Sequence, residues 1–159
     1  MSSPTDLILP PPAFQDPVIR TTLLPRDTNA HGTIFGGIIL SHIDIAGAVG
    51  AHRLGIPRVV TVAMKEVTFH EPVFVGDLLS LYVWPTRMGR TSVTVHVLVH
   101  AERAGRIEPD GLLNAVRVTE ADVTYVAVDE HRKPVSIVQL KPRVEALIAA
   151  AAARVSSAE

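Results

Sequence analysis

The sequence predicts an α+β fold in which one long helix covers an antiparallel sheet. Three observations predict it: an apolar, glycine-containing stretch with helical spacing over residues 36–52, four β-prone runs after it, and turn chemistry between those runs. At 159 residues the chain has room for one domain with a sizeable core.

The elements follow in order. Residues 1–16 carry Pro4, Pro10, Pro11 and Pro12 among small polar residues, cannot hold a helix, and are expected to form a disordered arm. The domain should then occupy 17–140. Residues 18–24 are β-prone and lead into the turn residues Pro25, Arg26, Asp27, Thr28 and Asn29. Over 36–52 the residues Ile39, Ile43, Ala46 and Gly50 recur at helical spacing with apolar residues on most other faces, so the helix is expected to be buried nearly all round. Gly47, Ala48, Gly50 and Ala51 imply that a sheet or partner helix approaches its backbone closely.

After Gly55-Ile56-Pro57 the pattern is mostly strand: 59–69, then 78–84 after a turn at 72–77, then 91–100 after a tight turn at 88–90, then 116–128. In the third of these, Val93, Val95, Val97 and Val99 alternate with Ser92, Thr94, His96 and His100, the period-2 signature of a half-buried strand. The 105–114 stretch, with Pro109-Asp110-Gly111, reads as a hairpin loop, and the four strands as hairpin-connected. Residues 141–159 are an Ala-rich tail or amphipathic helix, with Val144, Leu147, Ile148 and Ala151 at helical spacing.

Composition narrows the chemistry. Hydrophobic residues make up 47% of the chain and charged residues 19%, an apolar balance that implies surface buried between subunits. With 15 basic and 16 acidic residues, nothing points to a nucleic-acid or anionic-membrane partner. No cysteine is present, which excludes disulfides, thiolate nucleophiles and Cys-based zinc sites. Residues 1–12 lack a signal-peptide pattern and no apolar run reaches about 18 residues, so a cytoplasmic protein is expected.

Asp44 is the sharpest candidate. A carboxylate between Ile43 and Ile45 on an apolar helix must be hydrogen-bonded or suffer a large desolvation cost. The plainer account puts it on a narrow solvent-facing stripe with Ser41 or makes it a cap for a neighbouring turn. Upstream, Asn29-Ala30-His31-Gly32-Thr33-Ile34-Phe35-Gly36-Gly37 enters the helix at paired glycines, where free N–H groups and the helix dipole could polarise a carbonyl as an oxyanion hole does. A tight loop-to-helix turn would use the same glycines. Asn29 could orient a water or simply serve its turn. The seven histidines lack metal-ligand spacing, so no metal is expected. The Gly-x-Ser-x-Gly elbow of serine hydrolases and the Rossmann and P-loop glycine patterns are all missing. Gly89-Arg90-Thr91-Ser92 combines a turn, a cation and two hydroxyls, a modest phosphate-binding feature.

Taken together, residues 25–37, followed seven residues later by Asp44-Ile45-Ala46-Gly47, resemble the signature of hotdog acyl-CoA thioesterases of the YciA type. The resemblance continues through Val59-Val60-Thr61-Val62-Ala63, Val75-Gly76-Asp77, Gly89-Arg90-Thr91-Ser92 and Tyr125-Val126-Ala127-Val128-Asp129, covering roughly residues 18–135. It implies a hotdog fold, a long central helix wrapped by a five- to six-stranded antiparallel sheet. It also implies edge-to-edge dimers, commonly assembled into a hexamer as a trimer of dimers, with the active site at the dimer interface.

The implied reaction is hydrolysis of acyl-CoA, with coenzyme A part of the substrate and no further cofactor. Asp44 would be general base or nucleophile. Asn29 of the other subunit would position water or thioester, and the Gly37 N–H would polarise the carbonyl. Gly36 and His31 would contact substrate, and Gly89, Arg90, Thr91 and Ser92 would lie near the CoA nucleotide. Two positions depart from the family pattern: Ile38 stands where relatives often carry Trp and His42 where they often carry Gln, which puts the acyl pocket's preference in question. A non-catalytic acyl-CoA sensor and a hotdog hydratase using His31 are the alternative readings.

Overall fold

The computed structural model describes residues 7–107, 109 and 113–153. Its regular elements are β1 (Ile19–Thr22), α1 (Gly36–Arg53), β2 (Val59–Phe69), β3 (Leu78–Met88), β4 (Ser92–Ile107), β5 (Leu113–Ala127) and α2 (Lys141–Ala152). The strands form one five-stranded antiparallel sheet in the order β1-β3-β4-β5-β2. The expected α+β class, with one long helix on the sheet, is what the chain adopts.

The period-2 pattern of β4 sets the core. Val93, Val95, Val97 and Val99 are buried, and their register partners on the flanking strands, among them Leu81, Val83, Ala121, Val123 and Tyr125, are buried on the same face. Helix α1 lays Ile39, Ile43, Ala46, Gly47, Gly50 and Ala51 onto that face. The glycines allow the close approach that the sequence implied. A Cβ on Gly50 would stand 2.3 Å from Val83 Cγ1, and one on Gly47 would stand 2.2 Å from the Tyr125 hydroxyl.

Four expectations are corrected. First, α1 is not buried all round: Ser41 and His52 are exposed and Ile45 is 55% exposed, because one sheet face covers one helix face. Second, the strands after α1 are not all joined by hairpins. β2 pairs with β5 at one edge while β3 lies between β1 and β4, so the chain crosses the sheet between them, drawn beneath the helix entry by the bond from Ile34 N–H to the Val73 carbonyl (2.8 Å). Third, β3, β4 and β5 run longer than their apolar cores suggested, and the strands take up both flanks of the expected 105–114 loop; residues 108 and 110–112 lie outside the described residues. Fourth, residues 7–16 are not a loose arm. They contain a 3-10 turn at Pro12–Phe14, and the Ile8 carbonyl meets the His100 ring at Nε2, 2.9 Å away. Residues 1–6 lie outside the described residues.

Helix α2 opens with Pro142 in its first turn and docks on β3, burying Val144 and Ala151 and packing Leu147 and Ile148 against the core. Residues 154–159 lie outside the described residues. At the start of β3 a buried ion pair joins Asp77 to Arg103 of β4. Asp77 Oδ2 also accepts from Phe74 N–H (2.9 Å), and the guanidinium lies 5.1 Å from the Phe74 ring centroid.

Candidate functional site

Asp44 projects from the middle of α1 toward β2 and β5. Its Oδ1 accepts a hydrogen bond from Thr61 Oγ1 (2.7 Å) and lies 3.3 Å from the Tyr125 hydroxyl, while Oδ2 has no hydrogen-bond partner among the described residues. Thr61 and Tyr125 are register partners on neighbouring strands, so adjacent strands present both hydroxyls to one carboxylate oxygen. The Tyr125 hydroxyl donates its shorter bond, 2.6 Å, to the Asp44 backbone carbonyl. Burial, reinforced by the Asp44 charge, pushes the phenol well above its usual range, so Tyr125 remains a donor across the neutral range. The residues flanking the contact are exposed and apolar: Ile45 at 55%, Val60 at 37% and Val62 at 55%. A half-buried carboxylate thus sits inside an apolar surface that none of the described residues covers.

The helix entry is a separate constellation within one subunit. Asn29 Oδ1 accepts from the backbone N–H of His31 (2.9 Å) and of Thr33 (3.3 Å), and its Nδ2 donates to Thr33 Oγ1 (2.9 Å). Gly32, with φ +80, lets this loop close. The His31 side chain is exposed at its tip. No side chain caps α1, and the N–H groups of Gly36 and Gly37 in its first turn lack intrahelical acceptors. The paired glycines also have a packing role. The Phe35 ring occupies the space a Gly37 Cβ would need (2.5 Å), and the Phe69 ring lies 3.4 Å from where a Gly36 Cβ would be.

Beside Gly36 opens a cavity of about 340 Å³ lined by Ile34, Ile39, Phe69, Pro72 and Val73 together with His70 and Glu71. Asp44 lies eight residues along the helix, roughly 12 Å from Gly36 at 1.5 Å per residue. One subunit therefore does not bring the Gly36 or Gly37 amide to Asp44, and the Asn29 side chain is bonded within its own loop.

The Gly89–Ser92 turn closes on itself through Gly89 N–H to the Ser92 carbonyl (2.8 Å) and is held by Ala127 N–H on the Thr91 carbonyl and Ile137 N–H on the Arg90 carbonyl (both 2.8 Å). It sits at the end of the sheet where Val93 pairs with Tyr125, in register with the row that carries the Asp44 contacts, and the Arg90 side chain is exposed. A second cavity, about 250 Å³, lies between the Pro12–Phe14 turn, the end of α1, β3 and α2, and holds none of the candidate residues. Among the described residues no helix is long and apolar enough to cross a membrane.

Thr61 and Tyr125 are the site residues that sequence reasoning missed as such. Thr61 left one signal, a hydroxyl interrupting the apolar run Val59-Val60-Val62. Gly47, three residues beyond Asp44, hinted that something large comes close. Their convergence depends on the β2–β5 register, which no local pattern encodes.

Comparison with known proteins places these features. The Thioesterase superfamily profile matches residues 31–108. The acyl-CoA thioester hydrolase YciA of Escherichia coli (strain K12) is 43% identical over 119 residues, covering 75% of this chain and 88% of the relative. Among solved structures, Cj0915, a hexameric hotdog fold thioesterase of Campylobacter jejuni, is 43% identical with a TM-score of 0.74, covering 82% of this chain and 96% of that one. HI0827, a hexameric broad specificity acyl-coenzyme A thioesterase solved as an aspartate-to-alanine mutant, is 36% identical with a TM-score of 0.75, covering 84% and 96%. The sheet topology, the glycine-initiated helix and the sequence identity along most of the chain agree: this chain belongs to the hotdog-fold thioesterase superfamily, among its YciA-type acyl-CoA thioester hydrolases.

Proposed function

We propose that this protein hydrolyses acyl-CoA to free CoA and a carboxylic acid at a site shared by two subunits, with Asp44 as the reacting carboxylate. The observation that carries this reading is the Asp44 side chain itself: hydroxyls hold one oxygen, the other has no partner among the described residues, and both lie beside exposed apolar side chains. Asp44 acts on water as general base or on the thioester carbon as nucleophile. In either route the C–S bond breaks and CoA leaves as thiolate. The relatives described above, an acyl-CoA thioester hydrolase and two thioesterases, support the substrate class. Across a panel of acyl-CoA chain lengths, a thiol-trapping assay at neutral pH without added metal should detect CoA release. No release at any length would overturn the reading.

Separation and exposure support the two-subunit site. The Gly36 and Gly37 amides stand roughly 10–12 Å from Asp44 along one helix, Asn29 is bonded within its own loop, and β2 is an edge strand with Val60, Val62, Val67 and Phe69 all exposed. Such an edge invites a second copy. Joined there, the Asp44 of one subunit faces the helix entry of the other, where the Gly37 N–H polarises the thioester carbonyl, Asn29 positions water or thioester, and Gly36 and His31 border the substrate. The cavity beside Gly36, apolar apart from His70 and Glu71, receives the acyl group, and the Gly89, Arg90, Thr91 and Ser92 turn takes the CoA nucleotide. The hexameric state of the solved relatives supports a trimer of such dimers.

Mixing Asn29→Ala subunits with Asp44→Ala subunits should restore activity, since a heterodimer keeps one intact site. Absence of recovery after mass spectrometry has confirmed subunit exchange would refute the shared site.

A further inference from the structure

We infer that Tyr125 is a positioning residue that seats Asp44 and selects Oδ2 as its reacting oxygen. This rests on the proposed role of Asp44 and adds the device that orients it.

The geometry begins with a space. Gly47 lacks the Cβ that would collide with the Tyr125 hydroxyl at 2.2 Å and with the ring carbons Cε2 and Cζ at 2.9 Å, so the phenol reaches the helix backbone itself. There its hydroxyl donates to the Asp44 carbonyl (2.6 Å), and the Ala48 N–H acts on the same phenol oxygen. Those are the two groups that an undisturbed helix pairs with each other, four residues apart. A side chain seated at that rung sets the local course of the helix, and with it the direction of the Asp44 Cα–Cβ bond. The hydroxyl also stands 3.3 Å from Oδ1, the oxygen that Thr61 already engages at 2.7 Å. With Oδ1 held from both strands, the carboxylate cannot turn freely, and Oδ2 is left as the oxygen able to take a proton or attack carbon.

The anchor is well built. Tyr125 is fully buried, lies in register between Thr61 of β2 and Val93 of β4, and is one of two tyrosines in the chain. Among the described residues Asp44 pairs with no cation, and Tyr125 is its one ionisable hydrogen-bond partner. A positioning effect is therefore not masked by a competing charge. Phenylalanine at this position keeps the ring and removes only the donor.

The test compares Tyr125→Phe with the unmodified enzyme in the assembled oligomer, separating kcat from KM. The expected result is a fall in kcat of about tenfold or more with little change in KM, because misplacing a reacting group costs rate rather than affinity. Fluorinated tyrosines at position 125, graded in donor strength and nearly constant in shape, should change kcat in step with that strength at constant KM, which a purely structural tyrosine would not do; they keep the test decisive if Tyr125→Phe folds poorly. A folded Tyr125→Phe enzyme with unchanged kcat overturns the inference, as does a fluorinated series with constant kcat. Either result, alongside an inactive Asp44→Ala, would leave the proposed function standing. An active Asp44→Ala would instead remove the foundation of both.

Discussion

Asp44→Ala should lower the rate of acyl-CoA hydrolysis by roughly 10²- to 10⁴-fold, the range over which a positioned general base or its equivalent accelerates a reaction. The oligomer and its thermal stability should change little, because the helix is held at this point through its backbone: the short Tyr125 bond goes to the Asp44 carbonyl, which alanine retains. Only the Thr61 hydroxyl loses its acceptor, and it stands at the exposed edge strand where water or a partner can satisfy it. Steady-state kinetics with circular dichroism and size-exclusion chromatography on the same sample check both halves. Turnover near wild type in a folded variant would contradict the role assigned to Asp44.

Replacing Arg103 with Met should destabilise the subunit by about 3–5 kcal/mol, the usual cost of stranding one member of a buried ion pair. Asp77 is 4% exposed and Arg103 8%, so water cannot readily take over from the missing guanidinium, and among the described residues the Phe74 N–H is the carboxylate's one other donor. Urea unfolding at fixed protein concentration measures the loss. Adding Asp77→Asn to Arg103→Met should recover most of it, since a neutral amide can still accept from Phe74 N–H without a buried charge. A single variant as stable as wild type would show that the pair is solvated in the assembled protein.

Much of the architecture was legible because it is written in short-range periodicity. The valines of β4 point inward at every second residue, and the run from Gly36 to Arg53 repeats at helical spacing, so strand and helix followed from spacing alone. The breadth of the apolar pattern on α1 misled in an instructive way. A helix apolar on most faces suggests burial within one chain, yet Ile45 is exposed because the sheet covers only one face of the helix. The hairpin reading of the strands failed for a related reason. Turn residues between β2 and β3 say that the chain reverses, but they do not say beside which strand it lands, and the sheet places β2 against β5.

The candidate site divides along the same line. The sequence by itself determined that a carboxylate stands in an apolar helix behind a glycine-started entry, because residue type and helical spacing are local properties. Only the tertiary structure decided what surrounds that carboxylate: that Thr61 and Tyr125 meet it on one oxygen, that Gly47 leaves room for a phenol to touch the helix backbone, and that Asn29 is bonded within its own loop. Those contacts join residues 17 and 81 positions apart. They exist because strand pairing, a long-range choice governed by how the whole sheet buries its valines, brings β2 and β5 side by side beneath the middle of α1.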